Sequence, residues 1–459
     1  MSVSGVENIS AVETAGAGPA GGRMRVLFVS YAFPPVGGAG VQRTTKFIKY
    51  LGGAGWEASV LTVANPSVPA MDESLLADVP ANVVVRRART MEPGYGMKNA
   101  VAAGEGRRGG WRQAVKGIAR GVVKMALQPD PQVLWTRGAV REGKRLLGEM
   151  RHDVIVVSGP PFSSFRIGAK LSRWAGIPLV LDYRDEWDLS NAYLENKRLD
   201  GFSLRLQRGM QRRVVRAAAL LVATTKCSAA ALERVRDEAG AGARVACIYN
   251  GYDPEDFAGA VARGEGEGVF RLAYVGTLWN LTSVGPVVEA VERLCERSPE
   301  LAGRLELVFV GRRTPAQQAL LDRLRGKACR LVEHPYLPHD EALALVRGSD
   351  GLCVLLSDLP GAGRVVPAKL FEYMAAGRTI VGVAPRGEMW ELLDGYPAAR
   401  LHEPGDVEGI AASLAGEIER RMRGETSRVE GFDATRFSRP AQAGQLARLL
   451  AGVVEGVRR

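Results

Sequence analysis

The sequence contains no long hydrophobic run. Nothing in its 459 residues approaches the ~18 consecutive apolar positions that a membrane-spanning helix requires, and the densest stretch, Ala217 to Ala223, is far shorter. A bilayer-crossing helix is excluded. Histidine is equally scarce: His152, His334, His339 and His402 are widely scattered, which excludes a zinc site or a triad built on imidazole. Each reads as a surface or loop residue. The cysteines (Cys227, Cys247, Cys295, Cys329, Cys353) are odd in number, lack a C-x-x-C pair and fall mostly in apolar runs. There a thiol behaves as a small hydrophobe, so they read as reduced and buried. The first 23 residues lack the basic start and apolar core of a secretory signal, and their Ala, Gly and Ser content reads as a disordered lead-in.

What is present is ordinary globular material, 46% hydrophobic and 24% charged, in a chain long enough for two or three domains. From Met24 the text reads VLFVS, a turn-rich YAFPPVGGAG and then the helical VQRTTKFIKYLGGAG: strand, glycine loop, helix. Further strands are expected at Ala58 to Val63, Val83 to Val85, Val154 to Ser158, Leu179 to Asp182, Leu220 to Thr224 and Val245 to Ile248, with a helix over Ser164 to Trp174. From Asn250 a Gly- and acid-rich stretch reads as a linker. A second α/β cycle follows: RLAYVGTL, a helix through Val287 to Cys295, LELVFVGR, a helix from Pro315, DGLCVLL, a helix from Pro367, and TIVGV. Two Rossmann-like, doubly wound domains facing a central cleft are the expected architecture, since open parallel sheets bind ligands beyond the carboxyl ends of their strands.

Three segments carry candidate chemistry. Gly37, Gly38 and Gly40 lie between the first strand and first helix, where backbone amides and the helix dipole favour an anion. They do not form G-x-G-x-x-G, and there is no Walker lysine, so a dinucleotide or P-loop site is excluded; a tight ligand-free turn remains open. In VPAKLFEYMAAGRTIVGV, Pro367 suits a first helical turn, and the amides of Ala368 and Lys369 then suit a diphosphate. Glu372, one turn on, can accept hydrogen bonds from a ribose diol, and Gly377 closes the helix. The bland alternative is an exposed helical glutamate. In LVLDYRDEW a burst of charge ends a buried strand, so Arg184 and Asp185 are either functional or paired with each other.

The basicity is local. Between Arg86 and Arg145 fourteen Lys and Arg face four acids, nearly the whole formal charge of +11. Within this region GWRQAVKGIARGVVKMAL sets Arg112, Lys116, Arg120 and Lys124 at a four-residue step beside an apolar face that includes Trp111. That pattern describes a helix lying on an anionic bilayer; the alternative is a surface helix packing Ile118 and Val122 into its own domain. No nucleic-acid recognition motif accompanies the charge, so nucleic acid is not an expected partner.

Taken in order, PPVGGAGVQRTTKFIKYL, PDPQVLW, SGPPFSSF, RDEW after LVLDY, YNGYDPEDF, YVGTL and PAKLFEYMAAG resemble bacterial glycosyltransferases of the GT-B fold, in the large retaining group 1 / family 4 type that includes polysaccharide-building enzymes. The resemblance runs from about Met24 to the C-terminal helix. It implies a lead-in at 1–23, an acceptor domain at 24–255, a linker at 256–268, a nucleotide-sugar domain at 269–435 and a helix at 436–459 returning to the first domain. The implied activity is transfer of a sugar, with retention, from a nucleoside-diphosphate sugar to a lipid-linked or growing glycan, with no metal and no cofactor. From the lack of a secretory signal and from the basic amphipathic segment, the expected place is cytoplasmic, peripheral on the inner face of the cell membrane. Lys369 and Arg312, with the amides that begin the Pro367 helix, would stabilise the departing diphosphate; Glu372, Arg364, Gly276, Pro367 and Ala368 would complete the donor site. Asp185 or Arg184 would orient acceptor or sugar. The sequence departs from the family at two points. Arg364 stands eight positions before Glu372, where the family usually has a first glutamate, and Thr277, Leu278 and Trp279 follow Gly276 where an Arg and a Lys often occur. A degenerate transferase kept as a membrane-associated binding or scaffold subunit, and a sugar-nucleotide epimerase, are the alternative classes.

Overall fold

Alternation inside unbroken apolar runs builds the first sheet. In β1 (Met24–Val29), Val26 and Phe28 enter one core cluster while Leu27 and Val29 enter another, because successive strand residues point to opposite faces. A parallel strand covered on both faces is apolar throughout, which is why such runs were legible. The structure is a computed structural model, in which residues 23–68, 70–94, 125, 127–192, 200–258, 268–425, 429 and 431–458 are described. The lead-in at 1–22, most of the expected linker and the segment carrying Trp111, Arg112, Lys116, Arg120 and Lys124 lie outside these residues.

The chain divides into two units. In the first, β1 is followed by α1 (Ala39–Leu51), β2 (Trp56–Val63), β3 (Val84–Ala88), α2 (Thr136–Glu149), β4 (Val154–Gly159), α3 (Ser163–Ala175), β5 (Leu179–Tyr183), α4 (Trp187–Ala192), α5 (Gly201–Arg216), β6 (Leu220–Ala223), α6 (Lys226–Ala239) and β7 (Arg244–Cys247). All pairings are parallel, in the order β3-β2-β1-β4-β5-β6-β7. Progress across the sheet reverses between β1 and β4, so the loops leaving β1, β4 and β5 emerge around a switch point. Those loops are the glycine loop, SGPPF and RDEW.

In the second unit, β8 (Phe270–Val275), α7 (Gly285–Arg297), α8 (Pro299–Ala302), β9 (Leu305–Val310), α9 (Pro315–Asp322), β10 (Arg330–His334), α10 (His339–Gly348), β11 (Gly351–Leu355), α11 (Lys369–Ala376), β12 (Thr379–Val383), α12 (Glu388–Leu393), β13 (Ala399–His402) and α13 (Val407–Met422) follow in turn. The sheet order is β10-β9-β8-β11-β12-β13, again parallel. Its switch point falls between β8 and β11. The last helix, α14 (Arg439–Arg458), belongs to the first unit from Pro440 onward, where Leu446, Leu450 and Val453 join Val26, Phe28 and Val156 in one core.

Three details differ from the sequence reading. The units divide between Tyr249 and Asn250 rather than at residue 255; the Tyr252 N–H donates to the Phe437 carbonyl at 3.1 Å and its own carbonyl accepts from the Arg439 N–H at 2.8 Å, which ties this stretch to the second unit. His152 lies in a loop, as expected, but is buried there rather than at the surface, with Nδ1 3.0 Å from the Met150 carbonyl, and burial lowers its pKa. The regular part of α11 begins at Lys369, two residues after Pro367, although the Pro367 carbonyl already accepts the Leu370 N–H at 3.0 Å. Cys295, Cys329 and Cys353 are buried free thiols, while Cys227 and Cys247 are half-buried. No helix among the described residues is long and apolar enough to cross a membrane.

Candidate functional site

At the carboxyl end of the first sheet, the RDEW segment turns most of its charge inward. Asp182, the fourth residue of β5, is buried and faces Arg43 of α1: Arg43 Nε lies 3.0 Å from Oδ1, and another guanidinium nitrogen lies 2.9 Å from the same oxygen. The Ser158 hydroxyl donates to Asp182 Oδ2 at 3.1 Å, and Arg43 also donates to the Tyr249 carbonyl at 2.9 Å. A buried ion pair requires such extra hydrogen bonds to offset the loss of solvation. Sequence reasoning missed this pair; its signal was an aspartate inside an apolar strand and an arginine on the apolar side of the first helix.

Arg184 does not pair with Asp185. Its guanidinium donates to the carbonyls of Gly40 and Pro160, joining the glycine loop to the SGPPF loop, and its own carbonyl accepts from the Thr224 hydroxyl at 3.1 Å. A Cβ on Gly40 would meet the end of that guanidinium, so a larger residue there would displace the bridge. The Gly37 N–H donates to the Ala70 carbonyl at 3.1 Å, and Gly38 caps α1 with its carbonyl accepting from Val41. Glu186 accepts from Ser228 at 2.7 Å, and Trp187 donates to Gln207 at 2.9 Å while stacking on Phe162 at 4.5 Å. Asp185 is the exposed acidic residue of this run, and desolvation of its carboxyl raises its pKa, opposed by the Arg184 charge. The PDPQVLW segment supports the same loops: Asp130 accepts the Ser163 N–H at the start of α3 at 2.9 Å, and Trp135 donates to the Ala88 carbonyl at 3.1 Å.

In the second unit the decisive side chain is Lys369. Tyr373 of α11 accepts the Val275 N–H at 3.0 Å, which docks the helix against the end of β8. That contact sets Lys369 Nζ 3.6 Å above the ring centroid of Tyr274, a cation–π position. Gly276 has φ +145°, in the left-handed region that favours glycine, and any Cβ there would strike Lys369 Nζ. Burial, opposed by Cys353 and then Glu372, lowers the Lys369 pKa to about 7. Glu372, one turn on, is half-buried; burial raises its pKa, while His339 and Arg439 act in the other direction. The N–H groups of Ala368 and Lys369 precede any intrahelical acceptor and face the start of the helix.

The other expected donor residues are less concentrated. Arg312 is exposed, and its carbonyl accepts from Leu278 at 2.8 Å, so it borders the loop after β8. Arg313 is engaged by Glu333 at 3.5 Å and by the His334 carbonyl at 3.2 Å. Arg364 is half-buried in the turn Ala362–Arg364 after β11. A separate cavity of about 610 Å³, lined by Asp358, Arg386, Trp390, His402 and Glu403 among others, lies beyond β11, β12 and β13 and includes none of the expected site residues. Among the described residues no three His, Cys, Asp or Glu side chains gather as metal ligands.

Residues 37–251 match the family model described as Glycosyl transferase 4-like domain. Similar solved structures cover nearly the whole chain. Sucrose-phosphate synthase from Thermosynechococcus elongatus is 12% identical over 95% of this chain and 100% of its own, with a TM-score of 0.60. An α,α-trehalose-phosphate synthase (UDP-forming) from Burkholderia xenovorans, in complex with glucose-6-phosphate, is 16% identical over 93% of this chain and 100% of its own, at 0.61. Anabaena HepE in complex with UDP-glucose is 16% identical over 95% of this chain and 98% of its own, at 0.54. No curated protein matches the sequence. The chain has the two-domain GT-B fold of these structures, and most of its first unit matches the glycosyl transferase 4-like family model. In this GT-B chain the elements that converge on the two switch points are the motifs that carried the sequence resemblance.

Proposed function

We propose that this glycosyltransferase moves a sugar, with retention at the anomeric carbon and without a metal, from a nucleoside-diphosphate sugar to a hydroxyl of a lipid-linked or growing glycan, as in cell-surface polysaccharide synthesis. The observation that carries the reading is Lys369 Nζ standing 3.6 Å over Tyr274 at the end of β8, one helical turn from Glu372. UDP-glucose in HepE and glucose-6-phosphate in the trehalose-phosphate synthase support a sugar-nucleotide donor and a sugar acceptor.

In this reading the diphosphate meets the Ala368 and Lys369 amides and the Lys369 ammonium, while the Glu372 carboxylate accepts from the ribose diol. The bond between the anomeric carbon and the diphosphate oxygen breaks as the carbon becomes oxocarbenium-like. Negative charge grows on the leaving phosphate, and a cation fixed beside it stabilises that state more than the ground state. The acceptor oxygen bonds to the anomeric carbon on the face the diphosphate leaves, its proton passing to the leaving phosphate; Asp185 orients the acceptor, and Arg184 holds the two loops beside Asp185.

Thermal unfolding with a panel of UDP-, GDP- and dTDP-sugars tests this. At least one donor raises the midpoint of the wild type, by mass action on the native state, and raises it much less in Lys369→Ala and Glu372→Gln. Equal stabilisation of all three proteins would refute the assignment. Arg364, standing where the family's first glutamate is usual, favours one second reading, a binding subunit without turnover: donor stabilisation with no sugar transfer or donor hydrolysis would select it.

A further inference from the structure

Most exposed arginines of this chain for which partners are resolved face carboxylates. In the second unit Arg293 and Arg297 pair with Glu408, Arg323 with Glu292, Arg325 with Asp322 and Arg420 with Glu417 and Glu425. α5 of the first unit is different. Its sixteen residues, GFSLRLQRGMQRRVVR, contain five arginines and no acid. Ser203, Gln207, Gln211, Val214 and Val215 are its buried side. Arg205, Arg208, Arg212 and Arg213 are exposed and have no hydrogen-bond or ion-pair partner among the described residues, and Arg216 donates to the Ala239 carbonyl at 2.6 Å. At 100° and 1.5 Å per residue the arginines span an arc of about 140° along about 17 Å of helix. Phe202, 64% exposed, stands within that arc at the N-terminal end.

We infer that the arginine face of α5 docks on an anionic lipid bilayer. The arc lies along one straight helix, which suits a plane. Unpaired guanidiniums attract a surface of negative headgroups, while their aliphatic stems cover apolar material and keep the charge in water. Phe202 supplies an apolar anchor at one end. Nucleic acid is the poorer occupant: a single terminal ring offers no succession of stacking platforms for bases. The inference deepens the proposed function by naming a surface on which a lipid-linked acceptor is met, and it rests on that reading only for its purpose.

The test uses the full chain with vesicles of phosphatidylcholine, with and without about one-third phosphatidylglycerol. Wild type sediments with the anionic vesicles at low salt and is released as salt rises. Changing Arg205, Arg208, Arg212 and Arg213 together to Gln lowers partition at least about tenfold, and Phe202→Ala lowers it by about twofold to fivefold. Both variants keep the wild-type unfolding midpoint and the wild-type response to the donor panel, so failure here is distinguishable from failure of the donor site. The inference is overturned if wild type ignores phosphatidylglycerol, if the fourfold variant binds like wild type, or if changing Arg112, Lys116, Arg120 and Lys124 accounts for all of the binding. It is equally overturned if the α5 arginines are needed for duplex DNA or RNA and not for vesicles.

Discussion

Arg43 and Arg184 in the first unit and Lys369 in the second all lie just beyond the carboxyl ends of parallel strands, yet their surroundings differ. Arg43 is enclosed with Asp182, Ser158 and the Tyr249 carbonyl, and Arg184 joins two loop carbonyls. Lys369 rests on an aromatic ring, with Glu372 one turn away and no hydrogen bond or ion pair to a carboxylate among the described residues. Two arginines that cannot lose their charge are bound into the architecture, whereas the lysine that can lose it rests on a ring without a carboxylate partner. In the proposed reading the same switch-point geometry serves one unit as a brace and the other as a binding point.

Breaking the brace should have the largest effect. Arg43→Met leaves Asp182 buried without its counter-ion, and the expected loss is about 3–5 kcal/mol of stability, read as a lower denaturant midpoint. If donor stabilisation measured well below the new midpoint survives, the brace and the donor site are separate; a loss of less than about 1 kcal/mol would show that the pair holds nothing together.

The chemical contrast comes next. Lys369→Ala should reduce turnover by about a hundredfold to a thousandfold, the usual effect of removing one preorganised donor from a transition state. Glu372→Gln, which keeps shape but loses the charged acceptor, should cost about 1.5–3 kcal/mol of donor affinity with a smaller change in turnover. Steady-state kinetics separates the two, and identical profiles would erase the distinction between a group that acts on the leaving charge and one that grips the ribose.

Legibility followed apolar, β-branched text more than burial itself: β3 and β7, half-exposed at the edges of the first sheet, were still read from their valines. β1, β4 and β5 are covered on both faces, so their apolar runs were plain in the sequence. β10 (RLVEH) and β13 (ARLH) end the second sheet half-exposed and polar, and were missed. The glycine loop, RDEW and PAKLFEYM were recognised as site text because each interrupts a strand–helix pattern with charge or glycine. The partners were not recognisable: Arg43 and Asp182 are 139 positions apart, and no local pattern joins them. Arg184 and Asp185 are adjacent in sequence and read as a possible pair, but they lie in the bend after β5, where the Arg184 guanidinium is taken up by the Gly40 and Pro160 carbonyls.

The pH dependence of nucleotide binding bears most directly on Lys369. With a pKa of about 7 in the unliganded protein the lysine is mostly neutral at pH 8, and a bound diphosphate favours its charged form, so binding must take up a proton. Affinity for UDP should therefore fall as pH rises above 7. Calorimetric titration with UDP at pH 8, in buffers of different ionisation enthalpy, is expected to show uptake approaching one proton, fading well below pH 7 and abolished in Lys369→Arg while binding persists. Binding at pH 8 with no proton uptake, or with the same uptake in Lys369→Arg, would contradict a lysine poised for the phosphate.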